Sequence, residues 1–109
     1  MEKVIKDGNV AVVIAPNCGG GWSTWNNKEF AETLLFHPKI VNAVLSGDRL
    51  KMDEDWFVEN FGEEYRSVWP GSRDELVVAW IKEGTIFKID EYDGAESIYI
   101  VSEETTFKA

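Results

Sequence analysis

The sequence predicts an α+β fold: one mainly antiparallel sheet made from an N-terminal hairpin and a C-terminal three-strand meander, with about three short helices inserted between them. Three observations predict it. Apolar, β-branched runs flank Asp7-Gly8 near the start, amphipathic segments punctuated by glycine and proline fill the middle, and "LVVAWI", "TIFKID" and "SIYIV" follow one another near the end. A chain of 109 residues suits a single domain, 1–109, that buries roughly 65% of its unfolded surface. A small barrel with a helical insert is the alternative arrangement of the same elements.

In "VIKDGNVAVVIAP", Asp7-Gly8 is the pair favoured by a two-residue type I′ turn, so the chain opens as a hairpin. Residues Val10 to Ala15 are apolar without alternation, which suits a central strand buried on both faces. Pro16 cannot donate to the ladder and ends that strand. Downstream, Asn26 and Glu29 have capping-box spacing, Trp25 and Phe30 occupy staple positions, and Phe30, Ala31, Leu34 and Leu35 form one apolar stripe. His37-Pro38 stops this helix, because the residue before proline is pushed out of the helical region. The proline then starts a second helix carrying Ile40, Val41, Val44 and Leu45 on one face. Ser46-Gly47-Asp48 supplies its glycine stop. In "MDEDWFVENFGEEY", Asp53 caps a third helix, Met52 and Phe57 staple it, and Gly62 ends it. After a turn at Pro70-Gly71, Glu83-Gly84 and Asp93-Gly94 separate the strands of the meander.

Composition narrows the function classes. The chain is 44% hydrophobic and 13% aromatic, with five Trp, which marks a folded protein, and it has no apolar run near the roughly 20 residues that span a bilayer. "MEKVIKDGN" has no apolar leader region, and the single Cys18 cannot form an internal disulfide; both point to a cytoplasmic protein. The net charge is -9. Asp53, Glu54, Asp55, Glu59, Glu63 and Glu64 form one acidic run, and Asp90, Glu91, Asp93, Glu96, Glu103 and Glu104 another. Such surfaces repel phosphate backbones, so no nucleic-acid partner is expected. The runs read as solvated faces, or alternatively as an acidic surface that docks on a basic protein partner. One Cys and one His cannot fill a structural zinc site and "DEYDGAE" lacks a calcium-loop pattern, so no metal and no cofactor is expected.

The stretch "APNCGGGWSTWN" concentrates three glycines, the cysteine and two tryptophans at the junction of buried strand and first helix. Three readings compete for it. In the first, a ligand site, Gly19, Gly20 and Gly21 turn their N–H groups toward an anionic or nucleotide-like ligand, Trp22 covers a ring, and Asn17, Cys18, Ser23 and Thr24 complete the lining. Arg49, Arg66 and Arg73 add charge from elsewhere in the chain. The second is thiol catalysis, with Cys18 as nucleophile and His37 as the single available base; it lacks any basic neighbour of Cys18, so a non-enzymatic role is preferred. The third is a plain connector whose tryptophans plug the core. Three consecutive glycines add freedom that a structural turn does not need, which favours function at this loop.

"APNCGGGWSTWN" together with "EGTIFKIDEYDGAESI" resembles small uncharacterised proteins of tailed bacteriophages and their bacterial hosts. The resemblance implies two roles: sequestration of a host signalling nucleotide, or acidic inhibition of a host defence protein. Five Trp and six Phe are also hard to bury in one small domain, which predicts a homodimer with Trp69 or Trp80 at its contact.

Overall fold

The computed structural model describes residues 2–17, 21–69, 73–100 and 107–109. Strands β1 (Ile5–Lys6) and β2 (Asn9–Ile14) form the opening hairpin, with Lys6 opposite Asn9. Both turn residues have positive φ, 53° at Asp7 and 80° at Gly8, as a type I′ turn requires. β3 (Val77–Lys82) lies antiparallel along the other edge of β2, from Lys82 opposite Asn9 to Val77 opposite Ile14. β4 (Ile86–Tyr92) and β5 (Ala95–Ile100) form a second hairpin, whose Asp93-Gly94 turn repeats the two positive φ values. β6 (Phe107–Lys108) joins the opposite edge of β4. The fold is α+β, and its described ladders are antiparallel.

Where the sequence predicts one sheet there are two, ordered β1-β2-β3 and β5-β4-β6. The division falls at Glu83-Gly84. Glu83 N–H donates to Gly8 O, in phase with the first sheet, whereas Gly84 N–H donates to Ala109 O beside the second. β3 is thus paired to β2 rather than to β4, and the last three strands do not make a continuous meander. β6 is two residues long, too short for a periodic signal.

β2 explains the layering. Its pleat sends Ala11, Val13 and Ala15 to one side, where they meet Trp22, Leu34, Ile40, Val41, Val44, Met52 and Phe57. Val10, Val12 and Ile14 go to the other side and pack with Leu35, Phe36, Phe87 and Ala109. A strand that serves two cores reads as an unbroken apolar run, which is why its central place is visible in the sequence.

Three α-helices fill the middle of the chain: α1 (Ala31–Phe36), α2 (Pro38–Leu45) and α3 (Glu54–Phe61). Two 3-10 turns, Ser23–Trp25 and Lys28–Phe30, lead into α1. Phe30 holds the N-cap place of α1 without a side-chain cap, so Asn26 does not form the predicted capping box. Its amide instead bonds backbone groups of a distant loop. His37 leaves α1 in an extended conformation and caps α2, its Nδ1 accepting from Lys39 N–H at 3.1 Å. Ile40, Val41 and Val44 are buried, but Leu45 is 53% exposed and Ala43 takes the inward place. Leu45 lies about 100° around the helix from Val44, beyond the buried arc. α2 ends in a Schellman motif: Asp48 N–H donates to Ala43 O at 2.8 Å and Gly47, at φ 85°, donates to Val44 O. In α3, Asp53 Oδ1 accepts from Trp56 N–H at 2.9 Å, Met52 and Phe57 are buried, and Gly62 ends the helix at φ 111°. Among the described residues no helix is long and apolar enough to cross a membrane.

Candidate functional site

The segment after β2 gathers backbone N–H groups around an anion, and the anion is a side chain of the protein. Glu96, on β5, is 2% exposed. Its Oε2 accepts from Trp22 N–H at 2.7 Å, Thr24 N–H at 3.1 Å and the Thr24 hydroxyl at 2.6 Å, while Oε1 accepts from Ala15 N–H at 3.1 Å. Glu96 N–H returns a bond to Ala15 O at 2.8 Å. Burying a carboxyl group is unfavourable unless its oxygens are satisfied, and these four donors satisfy them. Glu96 is therefore no part of a solvated acidic run, contrary to the sequence expectation. The signal was present in the strand itself: Glu96 alternates with Ile98, so it sits on the inward face of β5.

The other loop residues divide between core and surface. Trp22 is fully buried, donates from Nε1 to Leu34 O at 2.9 Å and lies 6.1 Å from the Phe57 ring. Its ring is a core element. A Cβ at Gly21 would lie 2.5 Å from Trp25 Cδ1, so this glycine admits close passage of the Trp25 ring. Ser23 is buried, Thr24 is bound to Glu96, and exposed Asn17 donates to Glu75 Oε1 at 3.0 Å. Cys18, Gly19 and Gly20 lie outside the described residues, as does the turn at Pro70-Gly71.

Other sequence candidates have structural partners. His37 stands edge-on to Phe61 at 4.7 Å, and burial, then the Lys39 ammonium, hold its pKa below the ordinary value. The three arginines do not converge on the loop. Arg49 donates to Leu76 O and Arg73 to Met52 O, while Arg66 joins Glu63 at 2.9 Å and Glu54 at 3.1 Å. Hydrogen bonding to Arg66 lowers the Glu63 pKa. With Asp53 capping α3, three members of the first acidic run are engaged, and Asp55, Glu59 and Glu64 remain exposed.

Beside the Glu96 junction lies a cleft of 360 Å³. One wall carries Ser23, Thr24, Asn26 and Lys28, and the other carries Lys88 and Asp90 from β4, with Ala31, Ile89 and Phe107 as apolar lining. Asn26 braces the first wall: Nδ2 donates to Trp22 O at 2.8 Å and Trp69 O at 3.0 Å, and Oδ1 accepts from Trp69 N–H at 2.6 Å. Lys88 Nζ stands 3.6 Å from Asp90 Oδ1 and 5.3 Å from the Tyr99 ring centre. Lys88, Asp90 and Phe107 are not recognisable as site residues in the sequence, because only the docking of the second sheet brings them to the loop; Lys28 follows the loop directly and gains a role only from the wall that faces it. A second hollow, between α2 and α3, contains Lys39, Asn42, Lys51 and Trp56, but Lys51 is paired with Asp48 at 3.6 Å and Asn60 there donates to Trp56 O. Among the described residues no group of three or more His, Cys, Asp or Glu is placed to hold a metal ion.

Comparison of the chain with protein-family models, curated proteins and solved structures finds no match in any of the three.

Proposed function

We propose that this protein is a non-enzymatic binder of a small anionic ligand, of mononucleotide size, in the cleft between the Ser23–Lys28 segment and β4. The observation that carries the reading is the approach of Lys28 and Lys88 to one cleft from distant parts of a chain with 11 basic and 20 acidic residues. In a protein of net charge -9, two ammonium groups at one concavity, Lys28 and the Lys88 that also pairs with Asp90, supply the local positive charge for a negative group. Ala31, Ile89 and Phe107 offer an apolar surface for a ring, and Asp90 can accept from an amino or amide group of the same ligand. The volume lies near the lower end of the roughly 300–1,000 Å³ found for small-molecule sites, which fits one nucleotide better than two. Sequestration of a host signalling nucleotide, the role implied by the phage-like resemblance, is compatible with such a site.

This reading places the ligand beside the glycine stretch instead of on it: Glu96 occupies the adjoining Trp22 and Thr24 N–H groups, and Gly19 and Gly20 lie outside the described residues. Calorimetric titration with nucleotides and anionic metabolites tests it. Saturable binding by the parent protein that weakens at least tenfold in both Lys28→Ala and Lys88→Ala supports the site. Failure of every anion to bind, or binding unaffected by both substitutions, overturns it.

A further inference from the structure

We propose that two copies of this chain associate through the outer edge of β3, each β3 pairing antiparallel with the other, so that the two β1-β2-β3 sheets become one six-stranded sheet.

The ladder phase identifies the groups available. Glu83 N–H donates to Gly8 O, and Ile81 lies opposite Val10, so the backbone groups that β3 directs toward β2 belong to Val77, Ala79 and Ile81. Those of Val78 and Trp80 point away from β2. β3 is the last strand of its sheet, and no hydrogen bond outside the ladder engages Val78 or Trp80 main-chain groups among the described residues. An unpaired row of this kind is a template for another strand.

The side chains favour a second copy as that strand. Leu76 to Lys82 contains no acidic residue, although the protein carries a net charge of -9, so no carboxylates oppose one another within the overlap; Glu75 and Glu83 flank it at either end. Val77 and Trp80 are each 38% exposed. With the two-fold axis at Ala79, the small side chain lies beside its own copy and Val78 of each chain faces Trp80 of the other. That register makes two β-branched–aromatic pairs and four main-chain hydrogen bonds, and it places Lys82 beyond the apolar overlap. The contact is isologous and closes at two copies.

Sedimentation equilibrium of the full chain, from micromolar to millimolar concentration, reads the mass. The expected result is a concentration-dependent species of about twice 12.4 kDa. Val78→Pro removes an outward N–H from an edge strand, a place where proline is compatible with the sheet, and leaves the β2 ladder intact. It is expected to give a folded monomer with unchanged far-UV circular dichroism. Trp80→Lys, which places like charges near the axis, provides a second arm and is expected to weaken association at least tenfold. A 12.4 kDa species at every concentration overturns the proposal, and so does a dimer that persists in either folded variant.

Discussion

Glu96 on β5 and Ala15, immediately after β2, hold each other by two hydrogen bonds: Ala15 N–H to Glu96 Oε1 at 3.1 Å, and Glu96 N–H to Ala15 O at 2.8 Å. This pair fastens the second sheet to the end of the central strand, and the remaining Glu96 oxygen organises the start of the segment that walls the cleft.

The first prediction follows from that contact. Glu96→Ala leaves the N–H groups of Ala15, Trp22 and Thr24 without their acceptor, and the two buried ones, at Ala15 and Trp22, cost about 1–3 kcal/mol each. Urea denaturation is expected to show a loss of about 3 kcal/mol or more. Glu96→Gln also destabilises, because its NH2 must face N–H donors in either orientation of the amide. A loss below about 1 kcal/mol in both variants would show that water replaces the carboxylate readily.

Gly21 and Trp25 are expected to be coupled. Gly21→Ala places a Cβ within 2.5 Å of Trp25 Cδ1, and the half-exposed ring must swing outward. The Trp25 indole resonance should shift strongly while the melting temperature changes little. In a Trp25→Ala background the same glycine substitution should lose most of its effect, giving a non-additive double-mutant cycle. Additive behaviour would mean that the Trp25 ring is not what selects glycine at this position.

His37 should contribute a pH dependence to stability. Its folded-state pKa lies below the ordinary 6.5, through burial first and Lys39 second. The unfolded chain therefore binds a proton more readily, and the stability present at neutral pH is lost as pH falls through 6.5 toward the folded-state value. His37→Asn retains a side-chain acceptor for the α2 cap and removes the titration. Chemical denaturation over about pH 5–8 should show a shallower acid-side decline for this variant than for the parent. Identical slopes would remove His37 from the account.

Charge reversal distinguishes the ligand site from the acidic face. Asp55→Lys with Glu59→Lys alters exposed carboxylates on α3 and should leave anion binding in the cleft within about twofold, apart from a weak long-range effect screened by salt. If the same double variant abolishes capture of a basic protein while ligand binding is absent in the parent, the docking reading replaces the cleft reading.

What the sequence determined by itself was set by short-range sterics and by repeats within single segments. Asp7-Gly8 and Asp93-Gly94 specify turns because both positions need positive φ, His37-Pro38 separates two helices because proline restricts its predecessor, and Asp53 caps because its carboxylate reaches an N–H three residues on. The unbroken apolar run of β2 likewise announced burial on both faces. Only the tertiary structure decided that β3 pairs with β2 and not β4, that Asn26 binds Trp69 instead of capping α1, and that Glu96 fills the N–H cluster beside the glycines. Each of those outcomes is a choice among chemically equivalent partners far apart in the chain, and the choice depends on which apolar faces exclude water together and so bring particular donors within hydrogen-bonding distance.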